Sequence, residues 1–353
     1  MEYGSEFDLR SNEAFRGETV FPADCQLFRS GRDALKAFAR LAGKRRVLLP
    51  ALCCESMILP FRQNGWEIGF YRLRADYSAD EADVLAKLGD GSVLLYMRYF
   101  GIRAFTDDFL ETLRGSGRGL LFLEDRTHDL LVPRVAGGFQ PDAVVASLRK
   151  WAALPEGGVL QTGLGTVAAS TDSRYGELRL AAMEEKSRFL ENGDMELRAA
   201  YTEKLRRAES LLDASAEPAA MHPRFRQIAE GLDYAAILAA RRRNIRRLRD
   251  RLAPLLSDGT LRLLTPEPEK SGLYLPVLLR ERAGVLQELY RRRLYCPQTI
   301  WPEPAAAADI CPVCHFVTEH ILALLCDQRY HETEIDYLAD SLTEILHKDG
   351  KTE

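Results

Sequence analysis

The chain has 353 residues, of which 46% are apolar and 28% are charged, proportions typical of a globular protein with an extensive core. Its 48 basic and 52 acidic side chains give a formal net charge of −4, which argues against nucleic acid or an anionic membrane as a partner. No apolar run approaches the roughly 18 residues needed to cross a bilayer, and the acidic residues 1–6 are unlike a signal peptide. We therefore expect a cytoplasmic protein.

Seven cysteines, an odd number at irregular spacing, favour reduced thiols over a disulfide framework. Cys311 and Cys314 form a C-x-x-C pair with His315 and His320 nearby. Structural zinc normally takes four ligands, and no second pair stands at the spacing of a zinc finger. We therefore expect no metal site, while a zinc-dependent interaction protein stays open as an alternative.

Short apolar runs alternate with amphipathic stretches from about residue 26 to 170. This alternation is typical of βαβ units and of a largely parallel sheet covered by helices on both faces. In such sheets, ligand-binding polar residues gather at the carboxyl ends of the strands. The predicted strands are Val47–Leu49, Ile68–Tyr71, Val93–Met97, Leu120–Leu123, Ala143–Ala146, Gly158–Gln161 and Val167–Ala169.

The rest of the chain is mostly helical in pattern, with a long helix predicted from about Arg226 to Leu255. We predict an α/β protein with a large domain over residues 1–225, including an N-terminal segment 1–25, and a smaller C-terminal α+β domain over residues 226–353 that includes the linking helix. The elements predicted in the smaller domain are strands near Leu261–Leu264 and Leu273–Leu279 and helices near Ala283–Arg292 and Glu332–Leu346.

Three segments in the first half contain residue types suited to a phosphorylated ligand. In the first, Ser30 can cap a helix, and Gly31 and Arg32 follow it at a helix start whose amides favour a phosphate. In the second, an apolar run ends in Glu124 and Asp125, which places a carboxylate at the edge of the sheet. Alone, the first segment fits a simple helix cap better, and the second fits a cap or a surface ion pair equally well.

The third segment is a strand that ends near Ser147 and Lys150. A lysine in a partly desolvated pocket can lose its proton and form a Schiff base with an aldehyde. The Ser147 hydroxyl is placed to reach the same phosphate as Ser30. The simpler interpretation of Lys150 is an exposed lysine, as most lysines are.

The order of the three segments resembles that of the fold type I enzymes, which use pyridoxal 5′-phosphate (PLP). More closely, it is similar to the DegT/DnrJ/EryC1/StrS family, the sugar aminotransferases. The resemblance covers about residues 26–346. The matching residues are Ser30, Gly31, Ala34 and Leu35, then Glu124, Asp125 and His128, then Lys150 with Glu156–Gly158, and finally Leu325–Tyr330.

The resemblance implies a fold type I PLP-transferase fold and a role for each matched residue. Lys150 would hold PLP as a Schiff base, Asp125 would face the pyridine nitrogen, and His128 would lie near the ring. Ser30, Gly31, Arg32 and Ser147 would anchor the phosphate. The implied function is an aminotransferase that moves an amino group from an amino acid, by analogy glutamate, to a carbonyl acceptor such as a keto sugar. The implied assembly is a homodimer.

The sequence departs from the family pattern in three places, one of which is that Ser147 stands three residues before Lys150 instead of the usual five. Cys53 and Cys54 stand where the family carries an aromatic residue that stacks on the ring, so a thiol is expected to lie against PLP. The segment through which a neighbouring subunit reaches the phosphate is missing, and Arg224 or Arg226 lies in roughly that region. These differences indicate an outlying branch and put the sugar substrate in doubt more than the cofactor.

Two other functions stay open, a PLP-dependent lyase or dehydratase and a non-catalytic regulator or scaffold. Dehydratase relatives replace the lysine by histidine, so Lys150 favours transamination, and the intact Asp125 and Lys150 argue against a non-catalytic role. The arginine-rich run from Arg241 to Arg251 wraps around most of a helix. We therefore interpret it as a solvated surface or a subunit contact rather than as a site for nucleic acid or a phosphorylated substrate.

Overall fold

The computed structural model describes residues 2–133, 136–296 and 310–349. An eight-stranded sheet dominates the first half of the chain, and a three-stranded sheet and a two-stranded pair lie elsewhere. The strands are β1 (Tyr3–Gly4), β2 (Cys25–Phe28), β3 (Arg46–Pro50), β4 (Glu67–Tyr71), β5 (Val93–Tyr99), β6 (Ile102–Arg103), β7 (Leu121–Asp125), β8 (Ala143–Ser147), β9 (Gly158–Thr162), β10 (Arg262–Leu263), β11 (Leu275–Leu278), β12 (Leu294–Tyr295) and β13 (Ile321–Leu324).

Helices cover both faces of the large sheet and one side of the smaller one. They are α1 (Gly31–Leu41), α2 (Glu55–Gln63), α3 (Glu81–Lys87), α4 (Asp107–Gly115), α5 (Arg174–Asn192), α6 (Met195–Asp213), α7 (Pro223–Glu230), α8 (Tyr234–Arg251), α9 (Ala253–Ser257), α10 (Arg282–Arg291), α11 (Pro312–His320) and α12 (Glu332–Asp349). Short 3₁₀ turns cover Leu9–Phe15, Leu148–Lys150 and Pro268–Lys270. Within the described ranges, no helix is both long and apolar enough to cross a membrane.

The large sheet has the strand order β2-β9-β8-β7-β5-β3-β4, with β6 paired to β5. Neighbours from β8 to β4 are parallel, whereas β9 is antiparallel to both β2 and β8. Two successive reversals restore the direction, so β2 points the same way as β8. The carboxyl ends of β2, β8, β7, β5 and β3 therefore meet at one edge of the sheet, where ligands bind in sheets of this kind.

The central strands are apolar throughout because helices cover both of their faces. Leu94, Leu95 and Leu123 are fully buried, and they share one core cluster with apolar residues of α1 and α2. Phe225 of α7 packs in a separate cluster with residues of β8 and β9 on the other face. Such two-sided burial is typical of parallel sheets and explains why these strands read as continuous apolar runs.

The second half of the chain builds its own core around β11. This strand pairs antiparallel with β10 and β13, and its side chains pack against α8, α10 and α12. The N-terminal β1 pairs with β12, so Tyr3 contacts this second core although it lies at the start of the chain. The division into two domains with a boundary near residue 225 stays a prediction.

Six of the seven strands predicted between residues 26 and 170 are present as β3, β4, β5, β7, β8 and β9, the two predicted in the second half are present as β10 and β11, and the α/β class is confirmed. The seventh, Val167–Ala169, is wrong, because those residues form no strand. Strand β2 was not predicted from the sequence. The long helix from Arg226 to Leu255 is also wrong, since residues 231–233 separate α7 from α8.

The break between α7 and α8 has a physical cause. The Gly231 carbonyl accepts from the Gly17 amide at 3.0 Å, and the Asp233 amide donates to the Phe15 carbonyl at 2.9 Å. These bonds to the N-terminal segment replace helical ones. Asp233 then caps the new helix by accepting from the Ala236 amide at 2.9 Å.

A substitution at Gly158 can test the contact between β9 and the start of α1. A Cβ added there would lie 2.0 Å from the Ser30 carbonyl oxygen. We expect Gly158→Ala to lower the free energy of unfolding by at least about 2 kcal/mol, because Ser30 must move. Thermal and urea unfolding would measure this. Gly163→Ala is the control, since its added Cβ meets no atom within 4 Å, and an equal loss in both variants would contradict the prediction.

Candidate active site

The predicted site residues meet at the carboxyl edge of the large sheet. In the register of β2, β9 and β8, Phe28, Gly158 and Ser147 lie in one row. Ser30 and Gly31 follow Phe28 directly, and a Cβ added to Gly31 would come within 3.6 Å of the Ser147 Cβ. Segments more than a hundred residues apart in sequence are thus neighbours in the structure.

A cavity of about 170 Å³ opens at this edge. It is bordered by three groups of residues, from the start of α1, from the start of α2 and from the ends of β5, β7 and β8. The lining residues are Ser30, Gly31, Arg32, Leu35, Cys54, Ser56, Met57, Met97, Asp125, Thr127, Val145, Ser147, Arg149, Lys150 and Leu212. Seven of the nine predicted site residues line this cavity, and the two that do not are Cys53 and His128.

The start of α1 provides the anion-binding features that the sequence predicted. Helix geometry leaves its first amide N–H groups without an intrahelical acceptor. The Ser30 hydroxyl caps the helix, accepting from the Asp33 amide at 3.2 Å and donating to its carboxylate at 2.7 Å. Arg29 forms a buried ion pair with the same carboxylate at 2.9 Å. Ser30 is therefore engaged in capping, which leaves the amides at the start of α1 as groups that could bind an anion at this end.

Arg32 borders the cavity but is already paired. Its guanidinium binds Glu209 at 2.9 Å and Asp213 at 2.7 Å, both near the end of α6. Burial raises the pKa of Glu209, but Arg149 and Arg32 outweigh this effect and hold the pKa below its usual value. An anion at the start of α1 would share these two guanidinium groups with Glu209.

Asp125 lies at the end of β7 with 6% of its surface exposed. Its carboxylate accepts from the Thr127 amide at 2.8 Å. Burial raises the pKa of Asp125, while the bond from Thr127 and the charge of Lys150 act in the opposite direction. Glu124 next to it turns away from the cavity and pairs with Arg98 at 2.8 Å. Asp125 is thus the carboxylate that faces the cavity.

Lys150 ends the 3₁₀ turn after β8, and its side chain is exposed to the cavity. Its charge acts on both Asp125 and His128, which places the ammonium near these two groups. The Lys150 carbonyl accepts from Arg241 at 3.2 Å. The amine of Lys150 therefore faces the cavity, while its backbone carbonyl is bound by Arg241.

His128 is fully buried and is not among the residues that line the cavity. Its ring packs against Phe100 with the centroids 4.6 Å apart, and its carbonyl accepts from the Ser271 hydroxyl. Burial, and secondarily the charge of Lys150, hold its pKa well below the usual value. His128 is therefore buried beside Phe100 rather than at the cavity surface.

The two cysteines that replace the expected aromatic residue have different surroundings. Cys53 is fully buried in the main core, where burial raises the pKa of its thiol well above the usual value. Cys54 borders the cavity, and its Sγ lies 2.8 Å from the Ser56 hydroxyl. The placement of Cys53 against a cofactor is therefore corrected, because its side chain points into the core. Cys54 stays a candidate.

The sequence analysis missed Arg149, which borders both this cavity and a second one of about 360 Å³. Burial lowers the pKa of Arg149, but Tyr175 and Glu209 outweigh this effect and hold it above its usual value. The second cavity is bordered by Ser5, Glu6, Phe7, Arg149, Lys150, Arg241, Tyr274, Tyr295, Leu325, Asp327 and Arg329. Lys150 therefore stands between two cavities.

The remaining predicted features lie away from these cavities. Arg224 and Arg226 pair with Glu177 at 3.2 Å and with Glu230 at 2.7 Å. All seven cysteines are free, and Cys311 and Cys314 are buried at the start of α11. Throughout the described ranges, no three histidine, cysteine, aspartate or glutamate side chains come together in a way that could hold a metal ion.

The arginine-rich run is not uniformly a solvated surface. Arg242 donates to two carbonyls of the 3₁₀ turn at Pro268–Lys270, and Arg247 pairs with Asp336 of α12 at 2.7 Å. Arg241 is fully buried, which corrects its interpretation as a surface residue. Helical spacing alone could not identify it, since its neighbours in the run have the same side chain.

Comparison with known proteins found similarity in structure only. No protein-family model and no curated protein matches the sequence. Among solved structures, one similar protein is Helicobacter pylori PseC, an aminotransferase involved in the biosynthesis of pseudoaminic acid, at 14% identity and a TM-score of 0.61. That match covers 98% of this chain and 93% of the PseC chain.

Two further structures give the same result. A DegT DnrJ EryC1 StrS aminotransferase from Brucella abortus matches at 14% identity and a TM-score of 0.57, over 91% of this chain and 85% of that one. The ntda protein from Bacillus subtilis, solved with bound cofactor PMP, matches at 13% identity and a TM-score of 0.60, over 92% and 73% of the two chains. The chain thus has the fold of the fold type I PLP-dependent aminotransferases, and the predicted fold is confirmed.

Glu156, in the loop before β9, offers a test of the electrostatics beside the site. It is fully buried, and its Oε2 accepts from the His222 amide at 2.8 Å. Burial raises the pKa of Glu156 to about 7, against the pull of Arg29 and Arg149. The unfolded chain then loses its proton at a lower pH than the folded one, so stability falls as pH rises toward 7.

We expect Glu156→Gln to remove this pH dependence. Between pH 5 and pH 8, the unmodified protein should lose about 2 kcal/mol of unfolding free energy relative to the variant, with the loss complete above pH 7. Urea unfolding at a series of pH values would measure it. Glu13→Gln, at an exposed position, is the control. Parallel pH curves for the protein and Glu156→Gln would contradict the prediction.

Proposed function

We propose that this protein is a PLP-dependent aminotransferase that moves an amino group from an amino acid to a carbonyl acceptor. The observation that carries the proposal is the convergence of Lys150, Asp125, Ser147 and the amide end of α1 on one cavity of about 170 Å³. The similarity in fold to aminotransferases over more than 90% of the chain supports it.

The residues around the cavity suit each part of PLP. The amides at the start of α1, with Ser147, Arg32 and Arg149 beside them, suit a phosphate. Asp125 is a buried carboxylate, which can keep a ring nitrogen protonated by pairing with it. Lys150 provides a primary amine within reach of the same space. When bound, PLP supplies an aldehyde that captures amino groups and a ring that withdraws electrons from the substrate.

Each residue then has a defined task. Lys150 Nζ would hold the cofactor covalently. The same amine would also serve as the general acid and base that moves a proton on the amino donor. Asp125 would stabilise positive charge on the ring nitrogen. His128 is buried, neutral and packed on Phe100, so it would act on the site through packing rather than through a charge.

The second cavity is our proposal for the route of the substrates. Its lining carries the cations Arg149, Lys150, Arg241 and Arg329 and the anions Glu6 and Asp327. The excess of positive charge suits an anionic donor, and glutamate is the donor we propose. A keto sugar is the acceptor we propose, because PseC is an aminotransferase of pseudoaminic acid biosynthesis. The proposal also includes a homodimer and a cytoplasmic location.

A second candidate function is a non-catalytic relative of this fold. The pairing of Arg32 with Glu209 and Asp213 favours it, because carboxylates already neutralise one side of the anion site. Asp125 and Lys150 argue for catalysis, since a scaffold needs neither a buried carboxylate nor an exposed amine at one cavity. Covalent capture of PLP separates the two functions.

We expect the purified protein with PLP to show a visible absorbance band that borohydride removes, and expect Lys150→Ala to show none. The reason is that Lys150 is the lysine that lines the cavity in which the aldehyde would be held. Mass spectrometry of the reduced protein should place the modification on Lys150. Lys270→Ala, at an exposed lysine paired with Glu267, is the control. Absence of the band at saturating PLP would contradict the proposal.

We expect Asp125→Asn to capture PLP but to lose amino transfer. Without a carboxylate, the ring nitrogen loses the proton that makes the ring an electron sink, and the rate of glutamate consumption should fall on the order of 100-fold or more. Stopped-flow absorbance with glutamate would measure it. Asp129→Asn, at a carboxylate that pairs with Arg126, is the control. Equal rates for the protein and Asp125→Asn would contradict this role.

A further inference from the structure

Arg241 is a fully buried arginine of α8 on the side of Lys150 away from the PLP cavity. Burial lowers its pKa, with Asp327 as the nearest opposing charge. That carboxylate, however, is engaged by Arg329 through two bonds of 2.8 Å. Burying a guanidinium group without a bonded carboxylate is energetically costly. Other hydrogen bonds of Arg241 must therefore compensate for the burial of its charge.

Those hydrogen bonds converge on the turn that carries Lys150. Nη2 donates to the Lys150 carbonyl at 3.2 Å and to the Trp151 carbonyl at 3.0 Å. Nη1 donates to the Leu273 carbonyl at 3.0 Å. The guanidinium also lies 5.2 Å from the centroid of the Trp151 ring. One side chain thus joins α8, the segment just before β11 and the lysine turn.

Gln328 completes the arrangement from the loop after β13. Its Oε1 accepts from Arg241 Nε at 2.8 Å, and its Nε2 donates to the Trp151 carbonyl, also at 2.8 Å. The Trp151 carbonyl therefore receives two donors from one bidentate unit, which we call the Arg241–Gln328 clamp. Both residues are in the second half of the chain, whereas the turn they hold belongs to the first.

The same contacts reach the carboxylate of the site. Trp151 Nε1 donates to the Thr127 carbonyl at 2.8 Å, and the Thr127 amide donates to Asp125 at 2.8 Å. A continuous path of hydrogen bonds therefore runs from Arg241 through Trp151 and Thr127 to Asp125. The backbone of Lys150 and the side chain of Asp125 are set by one network.

The lysine turn needs such support because it is short. Leu148–Lys150 is a single 3₁₀ turn, and runs of this type are only weakly stable by themselves. The guanidinium faces carbonyls at the end of the turn, where a cation is favourable. We infer that Arg241, assisted by Gln328, is a positioning residue that fixes the Lys150 backbone so that the amine meets the aldehyde of PLP. This inference rests on the proposed function.

The test compares Arg241→Met, Arg241→Lys and Gln328→Met with Arg242→Met in the full-length protein. Arg242 is the matched control, because it lies on the same helix and donates to the Glu269 and Lys270 carbonyls at 2.9 and 3.0 Å, away from the lysine turn. Circular dichroism and thermal unfolding identify variants that fold. Gln328→Met removes one partner of the clamp but leaves the buried charge of Arg241 in place. It therefore provides the test if Arg241→Met does not fold.

Two measurements are made on each folded variant. The first is hydrogen exchange of the peptide over residues 147–153 before PLP is added. The second is the rate of covalent PLP capture, with the pH midpoint of the visible band. We expect Arg241→Met to exchange at least about tenfold faster over this peptide, to capture PLP about tenfold more slowly and to shift the midpoint. Arg241→Lys should recover part of each effect, and Arg242→Met should match the unmodified protein.

The outcomes distinguish the inference from the proposed function. If the unmodified protein captures no PLP, the proposed function fails and the inference fails with it. If it captures PLP and Arg241→Met and Gln328→Met capture it at the same rate with the same midpoint, the positioning role is overturned while the function stands. Faster exchange without slower capture also overturns it, because Arg241 would then only stabilise the turn.

Discussion

Strand β9 runs against both of its neighbours, and the site depends on this reversal. It lets β2 and β8 point in the same direction while a strand lies between them. Ser30 at the end of β2 and Ser147 at the end of β8 consequently emerge at the same edge of the sheet. The strand between β2 and β8 is β9, which begins with Gly158. Because Gly158 has no side chain, the Ser30 carbonyl can lie next to it. The start of α1 can therefore approach Lys150 and Asp125.

Charge burial is the second constraint on this region. Asp125, Arg149, Arg241 and Glu156 are all largely removed from water, and a buried charge is tolerated only when other groups compensate it. Arg149 has Glu209 and Tyr175, Arg241 has main-chain carbonyls and Gln328, and Asp125 has the Thr127 amide. Each partner also fixes the geometry of a group at the cavity. Polar contacts that satisfy these charges thus also arrange the site.

The resemblance in residue order predicted more of the site than composition or periodicity could. Asp125, Lys150, Ser147, Gly31 and Cys54 line one cavity, as the order of motifs indicated. Cys53 and His128 do not, because alternation along the chain turns one side chain toward the cavity and the next into the core. Arg149 and Arg241 were missed, since an arginine that neighbours other charged residues carries no local sign of burial. Strand β2 was missed because only half of its four residues are buried.

The sequence by itself determined the α/β class, most strands of the large sheet and the residue types that chemistry at the site requires. These properties follow from local patterns, namely apolar runs, helical spacing and polar residues at strand ends. Tertiary structure alone decided which side chains meet, how Arg32 is shared with Glu209 and Asp213, and why Arg241 is buried behind Lys150. Such contacts join segments separated by tens to hundreds of residues, and no local pattern encodes a partner at that distance.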